Sequence, residues 1–278
     1  MTRTDTERVS ATALWTAAER ARESTRPNRL IDDPFAAEMA GEEGLRHQRF
    51  MDERVPRNSD NPFVAIQTRF FDDYLLEAAA SGIRQVVLVA AGMDSRPFRL
   101  DWPGGVRLWE LDLAPLLDAK EAVLARLGAT TRCDRRPVAA DLREPWEPAL
   151  LAAGYRPDEP AAWLVQGLIE FLEEDQVDRL FGAIAAIAAP GSRLGVDVLG
   201  RSFVKSPFMR RWLRAMEEEG LEFHFGTDDP EGLLSRHGWQ PHVRLLSEVG
   251  TGFSRWPLPP MQRGMPGLPV SYLVTATR

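Results

Sequence analysis

The sequence predicts an α/β protein in which a doubly wound, seven-stranded sheet with an antiparallel last strand follows an N-terminal helical cap. Short apolar runs alternate with helical patterns from residue 84 to 219, which is typical of parallel strands joined by right-handed crossovers. The last two runs, 242–249 and 270–277, are separated by a Pro- and Gly-rich stretch without a helical pattern, which predicts a closing hairpin. We therefore divide the chain into a cap or lid, 1–82, and one compact core, 83–278.

The cap is predicted from two amphipathic stretches. Residues 10–25 place small apolar side chains on one helical stripe, and Asp33 followed by Pro34 is typical of the start of another helix. Residues 41–60 are polar and irregular, which predicts a connection without regular structure. Residues 61–82 then form a helix that begins at Asn61-Pro62 and ends at Gly82.

The core contains seven predicted strands with helices between most of them. The strands are expected at 84–91, 106–112, 136–140, 162–167, 192–199, 242–249 and 270–277. The helices are expected at 115–127, 173–189, 206–219 and near 230–237.

Composition excludes several functional classes. A net charge of −7 argues against a general nucleic-acid surface, and the basic cluster 132–136 is interpreted as a solvated loop. No apolar run is long enough for a membrane helix, and the first ten residues lack the apolar centre of a secretory signal. The single cysteine, Cys133, excludes an intramolecular disulfide and suits a reducing cytoplasm. The four histidines show no metal-binding spacing, so we expect no metal, and the oligomeric state stays open.

The stretch 84–112 carries the strongest functional signal. A buried strand ends in Ala91-Gly92, and a second strand ends at the carboxylate of Asp112. A glycine at the first turn and an acid after the second strand are typical of a site for a ribose-containing ligand. Gly92 is followed by Met93-Asp94-Ser95, so the two further glycines that admit a pyrophosphate are absent. Their absence and the predicted hairpin favour S-adenosylmethionine over a dinucleotide.

Several stretches together resemble the leucine carboxyl methyltransferase-like family of S-adenosylmethionine-dependent O-methyltransferases, and among its members the bacterial branch that modifies small molecules. They cover most of residues 11–200 and include VVLVAAGMDSRPFRLDWP (86–103) and WELDLAPLLDAKEAVL (109–124). The remaining stretches are 21–36, 68–75, 136–146 and 162–180. The resemblance implies a Rossmann-like fold and S-adenosyl-L-methionine as the cofactor.

The resemblance also implies roles for individual residues. Arg69 corresponds to the arginine that pairs with the cofactor's carboxylate, for which a planar guanidinium is suited. Ala91 and Gly92 correspond to the turn against which the methionyl part lies. Asp112 corresponds to the ribose-binding acid, and Glu110, two residues earlier on the same strand face, is the reserve candidate.

The adenine would be held by Asp141, which accepts from the exocyclic amine, and by Leu142, which packs on the ring. Gln166 is the last candidate cofactor-binding residue, and it stands where the family usually has glutamate. Glu170-Phe171 stands where the family tends to have Met-Tyr. These departures concern the substrate side. Glu170 is interpreted as a surface glutamate that could otherwise partly replace the missing carboxylate.

The sequence therefore predicts methyl transfer to a carboxylate or a hydroxyl of a small molecule, for example a polyketide in secondary metabolism. A carboxylate acceptor needs no base, whereas a hydroxyl does. His224 and His242 are candidates, but neither can be assigned as the catalytic base from the sequence. The N-terminal helices and the loop 250–269, with Trp256, Met261 and Arg263, are expected to roof the site.

Two alternatives remain at this stage. A modified dinucleotide-binding core would make the protein a nicotinamide-dependent oxidoreductase. The uncharged Gln166 would also be compatible with a protein that binds S-adenosylmethionine without catalysis.

Overall fold

The computed structural model describes residues 5–259, 261–264 and 268–278, with side chains of the first helix from residue 11 onward. Its centre is a seven-stranded sheet in the order β3-β2-β1-β4-β5-β7-β6. The strands are β1 (Gln85–Val89), β2 (Arg107–Asp112), β3 (Asp134–Ala139), β4 (Ala161–Val165), β5 (Arg193–Leu199), β6 (Gln240–Leu245) and β7 (Ser271–Thr277). β7 is antiparallel to both β5 and β6, and the pairings among β1 to β5 are parallel. The predicted sheet is confirmed.

The helices surround this sheet on both faces. They are α1 (Asp5–Ser24), α2 (Ala36–Arg54), α3 (Phe63–Ala80), α4 (Arg96–Arg99), α5 (Ala114–Leu127), α6 (Glu147–Ala152), α7 (Glu174–Ile187), α8 (Arg201–Lys205), α9 (Arg210–Glu218), α10 (Pro230–Ser235) and α11 (Leu246–Gly252). None of the helices in the described ranges is both long and apolar enough to cross a membrane.

Every residue of the central strand β1 is buried, because apolar layers cover both faces of the sheet. Val87 and Val89 belong to the layer that packs against α7, whereas Val86 and Leu88 belong to the layer that packs against α3. This explains why the strand is a continuous apolar run and does not alternate with polar residues. β1 pairs in register with β2 and β4, so the carboxyl ends of the three strands meet at one edge.

Helix α3 lies close against the sheet because β5 offers it a residue without a side chain. A Cβ atom at Gly195 would lie 2.8 Å from Cε1 of Tyr74, which is closer than such atoms can approach. The Tyr74 hydroxyl donates a hydrogen bond of 3.2 Å to the carbonyl oxygen of Trp163 on β4. This contact fixes the position of α3 over β4 and β5.

The structure corrects four expectations about the elements. Residues 41–54 are helical as part of α2, which contains a kink at Gly41, whereas 41–60 was expected to be irregular. The segment between β6 and β7 contains α11, so the two antiparallel strands are not joined by a simple loop. One helix was expected at 206–219, whereas the structure has α9 at Arg210–Glu218, preceded by the separate helix α8 at Arg201–Lys205. Residues 134–136 of the basic cluster belong to β3, and the side chain of Arg135, which is 6% exposed, forms an ion pair with Glu110.

Glu19 links the stability of the cap to pH. It is buried between α1 and α2, and this burial raises its pKa to about 7, although Arg22 and Gln48 favour the ionised form. The folded protein therefore holds this proton more tightly than the unfolded chain does. The stabilisation is complete below about pH 4.5 and is lost as the pH rises through about 7.

We expect Glu19→Gln to raise the free energy of unfolding at pH 8 by on the order of 2 kcal/mol, because it removes the cost of a buried charge. At pH 5 the difference from the unaltered protein should shrink. Urea denaturation at the two pH values measures both. Glu38→Gln, at an exposed position of α2, is the matched control and should change neither value. A difference for Glu19→Gln that does not vary with pH would contradict this account.

Candidate cofactor-binding and active site

A cavity of about 470 Å³ lies at the edge where the carboxyl ends of β1, β2, β3 and β4 meet. Its wall combines the turns after these strands with one face of α1, one face of α3 and the segment 220–224. A volume of this size is within the range of sites for small molecules and cofactors. The cap and the core thus both contribute to one site.

Gly92 and Asp112 meet in this cavity, as the sequence predicted for two neighbouring parallel strands. The backbone N–H of Gly92 donates 2.6 Å to Oδ2 of Asp112, and the N–H of Leu113 donates 2.7 Å to Oδ1. Gly92 has φ +48°, and a Cβ there would lie 3.1 Å from that of Ala13 on α1. A residue without a side chain therefore lets the cap approach the turn. Burial raises the pKa of Asp112, against the lowering effect of the two backbone hydrogen bonds.

Ala91, Asp141 and Leu142 also line the cavity. Asp141 lies in the turn after β3 and accepts a hydrogen bond of 2.8 Å from Nη2 of Arg143, which holds the pKa of Asp141 below its ordinary value. Leu142 lies beside it and packs against the apolar core. The structure therefore brings together an acidic and an apolar side chain at the place expected to hold adenine.

Glu110 does not reach the cavity. Its carboxylate is fully buried between Nζ of Lys120, at 2.8 Å, and Nη2 of Arg135, at 2.6 Å. The two cations neutralise the acid inside the protein. Glu110 thus holds β2 to α5 and β3, and the reserve role for the ribose is not supported by its position.

Arg69 is also outside the cavity. Its side chain is 43% exposed and forms a pair of 2.9 Å with Asp73, one turn further along α3. Its guanidinium also lies 5.6 Å from the ring centre of Phe253. The preceding residues Gln67 and Thr68 line the cavity instead. Arg69 therefore points along the helix surface, and the predicted contact with a cofactor carboxylate is not available to it in this structure.

Arg20 on α1 was not selected from the sequence, but the structure places it at the cavity. It lines the cavity, donates from Nε to Asp33 at 2.9 Å and donates from Nη2 to the carbonyl of Met93 at 2.5 Å. Its Nη1 makes no hydrogen bond to any residue that the structure describes. By contrast, Arg96 and Arg99 also line the cavity, but all their side-chain nitrogens already donate within the protein. Of these three arginines, Arg20 is therefore the one with a whole side-chain nitrogen, Nη1, that makes no hydrogen bond within the described residues.

A chain of buried ion pairs holds these arginines. Arg99 donates to both carboxylate oxygens of Asp72, at 2.6 and 2.8 Å, and Arg96 donates to Asp72 at 2.7 Å and to Asp94. Burial alone would raise the pKa of Asp94, but Arg96, together with Lys120 and Arg20, lowers it to about 2. Asp94 is therefore ionised at neutral pH, and the ion pairs hold the two arginines in fixed positions.

Gln166 lies in the cavity wall at the end of β4, and its Oε1 accepts a hydrogen bond of 2.9 Å from Nη2 of Arg96. Glu170, in contrast, is buried and does not lie on the surface. Burial, together with the nearby charge of Asp197, raises the pKa of Glu170 well above its ordinary value. Glu170 is not among the cavity-lining residues, so its position does not support a role in place of the family's glutamate.

Of the two candidate histidines, the structure places one at the cavity and the other away from it. His224 lines the cavity, and its Nδ1 lies 3.4 Å from Oε1 of Glu173, the N-cap residue of α7. His242 is exposed on the edge strand β6, away from the cavity.

The cap helix α1 roofs the site through Thr12, Ala13, Thr16 and Arg20, whereas no described residue of the loop 250–269 reaches the cavity. Trp256 packs against the core, Met261 donates from its backbone to Ser247, and Arg263 pairs with Glu231. Residues 260 and 265–267 of that loop lie outside the described residues. The far wall comes from 220–224 instead.

This fold and site define an α/β protein that holds a nucleoside-type ligand at the carboxyl edge of a sheet with a reversed last strand. Comparison with known proteins is consistent with this class of protein. The model of the leucine carboxyl methyltransferase family matches residues 13–185. A protein of Mycolicibacterium paratuberculosis, provisionally named an S-adenosyl-L-methionine-dependent methyltransferase, is 39% identical over 86% of this chain and 82% of its own. A relative with a similar name from Streptomyces avermitilis is 39% identical over 93% of both chains.

Two solved structures share the fold. One is described as a provisional methyltransferase from Thermobifida fusca, with a TM-score of 0.61 at 18% identity, and the match covers 91% of this chain and 94% of that one. The other is a DUF574 family protein from Streptomyces avermitilis, with a TM-score of 0.57 at 14% identity over 85% and 91% of the chains.

The chain belongs to the leucine carboxyl methyltransferase family. It is an S-adenosylmethionine-dependent methyltransferase. The cavity fits this cofactor because Asp112 has lone pairs left for ribose hydroxyls, and Nη1 of Arg20, which makes no hydrogen bond within the described residues, could donate to a carboxylate.

We expect Asp112→Ala to weaken the binding of S-adenosylhomocysteine at least tenfold, about 1.4 kcal/mol, because the ribose loses a charged acceptor. Isothermal titration calorimetry measures the dissociation constant. Asp101→Ala, at a position 92% exposed, should leave it unchanged. Equal affinities for Asp112→Ala and the unaltered protein would mean that the ribose lies elsewhere.

We expect Arg20→Ala to weaken the binding of S-adenosylhomocysteine at least tenfold more than that of methylthioadenosine, because only the former carries the amino-acid carboxylate, whereas any shift of α1 would weaken both. Arg69→Ala is the matched control and should change neither affinity. Calorimetric titration with both ligands distinguishes a direct contact from a structural defect. A similar loss for both ligands with Arg20→Ala, or a loss with Arg69→Ala, would contradict the assignment.

Proposed function

We propose that the protein transfers the methyl group of S-adenosylmethionine to an oxygen atom, in a carboxylate or a hydroxyl, of a small molecule. The observation that supports this proposal is the mixed lining of the cavity. The amides of Gln67 and Gln166 line it together with the apolar side chains of Val64, Phe171 and Leu221. This lining would accept a largely apolar molecule that carries a polar group to be modified.

When bound, the cofactor supplies a methyl group that the positive sulfur makes electrophilic. The protein then has to hold donor and acceptor in line and exclude water. Arg20, Gly92, Asp112, Asp141 and Leu142 would hold the cofactor, while α1 covers it.

A hydroxyl acceptor also has to lose a proton. His224 is the histidine in the cavity wall, and the carboxylate of Glu173 beside Nδ1 favours a ring orientation that leaves Nε2 free to accept one. A carboxylate acceptor would not need this group.

The proposal also covers the role of the N-terminal residues, the cellular location and the kind of metabolism. We propose that residues 1–82 act as a cap that admits and encloses the small molecule and that the protein acts in the cytoplasm. A role in modifying a secondary metabolite such as a polyketide is consistent with the apolar wall.

The test is incubation with methyl-labelled S-adenosylmethionine and a panel of phenols, alcohols and carboxylic acids, followed by mass spectrometry of the products. We expect a labelled product whose methyl group is on oxygen. Treatment with alkali separates the two acceptor classes, because a methyl ester releases methanol and a methyl ether does not. A product methylated on nitrogen or carbon would contradict the proposal. Cofactor binding without turnover of any acceptor would favour a protein that binds the cofactor without catalysis.

A further inference from the structure

The side-chain amide of Gln67 lies in the cavity wall, and a hydrogen bond to a buried carboxylate fixes its orientation. Gln67 on α3 is 5% exposed, and its Nε2 donates 2.6 Å to Oδ2 of Asp197 on β5. The other oxygen of Asp197 accepts from the backbone N–H of Gly167 at 2.9 Å. Both carboxylate oxygens therefore accept hydrogen bonds. Since an ionised carboxylate cannot donate, the nitrogen of Gln67 has to face Asp197.

This arrangement turns the amide oxygen of Gln67 away from Asp197. Gln67 lines the cavity, and its Oε1 has no hydrogen-bond partner among residues 5–259, 261–264 and 268–278. This oxygen is also not one of the fully buried polar atoms that lack a hydrogen-bond partner in the described part of the chain. It is therefore accessible from the cavity. Gln67 therefore offers an acceptor of hydrogen bonds to whatever lies there.

In the second amide, that of Gln166, the oxygen is held by the protein and the nitrogen is left without a partner in the described residues. Its Oε1 accepts from Nη2 of Arg96, and a guanidinium can only donate. Its Nε2 makes no hydrogen bond within the described part of the chain and is thus the atom left to donate into the cavity.

The two amides are neighbours. Asp197 joins Gln67 to Gly167, the residue that follows Gln166, and Nη2 of Arg96 contacts both Gln166 and, at 3.5 Å, the carbonyl of Thr68. The wall therefore contains one acceptor and one donor on residues that Asp197 and Arg96 link to each other, and the two amides themselves carry no charge.

A hydroxyl group matches this pair because it can donate to Gln67 and accept from Gln166 at the same time. A carboxylate can only accept, so it would face the lone pairs of Gln67 Oε1 and the charge of Asp197 behind it. We propose that the acceptor substrate is a neutral hydroxyl compound and that Gln67 and Gln166 favour its binding over that of a carboxylate. This inference rests on the proposed function.

Asp197→Asn provides a sharp test because it reverses the orientation of one amide. The introduced asparagine can still accept from the N–H of Gly167 through its oxygen, but its nitrogen then faces Gln67. Gln67 has to turn its oxygen toward that nitrogen and present its own N–H groups to the cavity. Burial raises the pKa of Asp197 to about 6, so replacing this charge with a neutral group of the same shape should not prevent folding.

The experiment measures the binding of a panel of matched pairs that differ in one group, beginning with 2-naphthol and 2-naphthoate. Each compound is titrated calorimetrically into the protein saturated with S-adenosylhomocysteine. We expect the hydroxyl members to bind at least tenfold more tightly than the carboxylates. In Asp197→Asn this ratio should fall at least tenfold, and in Gln67→Leu the preference should also be lost. Asp158→Asn, an exposed position before β4, is the matched control and should keep the preference.

Carboxylates that bind as tightly as hydroxyls, or a ratio unchanged by Asp197→Asn, would overturn the proposal. Failure of all hydroxyl members to bind would overturn it as well. The affinity for S-adenosylhomocysteine, measured in the same samples, separates this failure from that of the proposed function. If the cofactor product binds and the preference is absent, the hydroxyl assignment alone is wrong. If S-adenosylhomocysteine does not bind, the proposed function is wrong, and the hydroxyl assignment that rests on it is wrong as well.

Discussion

The chain of buried ion pairs between the cap and the core is the feature on which the site depends. Arg20 from α1 meets Asp33, and the Ser95 hydroxyl joins Asp33 to Arg99 with hydrogen bonds of 2.6 and 3.1 Å. Asp72 on α3 then binds Arg99 and Arg96. Buried ion pairs are costly to desolvate, and breaking one leaves an unpaired charge, so such a chain specifies one arrangement. That arrangement places α1 over the turn after β1 and leaves Nη1 of Arg20 available to a ligand.

The part of the site that could be predicted from the sequence is the part that follows directly from strand ends. Gly92, Asp112, Asp141 and Gln166 each come just after a short apolar run or at its end. The carboxyl ends of parallel strands meet at one edge, so a correct list of strands brings these residues together. The antiparallel position of β7 followed in the same way from the change of pattern near the end of the chain.

Residues on helices were harder to place because their direction depends on packing. Arg69 and Gln67 are two residues apart on α3, and the side of the helix that faces the cavity is set by how Tyr74 packs against Gly195. Arg20 could not be assigned because its partner carbonyl, that of Met93, lies 73 residues further along the chain. The part of α2 that follows Gly41 was missed because this glycine interrupts the helix and because the buried face includes polar side chains, such as that of Gln48, which donates to Glu19.

The most direct test of the central claim is a crystal structure of the protein with S-adenosylhomocysteine. We expect the ribose hydroxyls within hydrogen-bond distance of Asp112, the adenine between Asp141 and Leu142, and the carboxylate at Nη1 of Arg20. The sulfur should then face the wall formed by Gln67 and Gln166. A ligand held at Arg69, or one bound outside the cavity at the carboxyl edge of β1, would contradict the account.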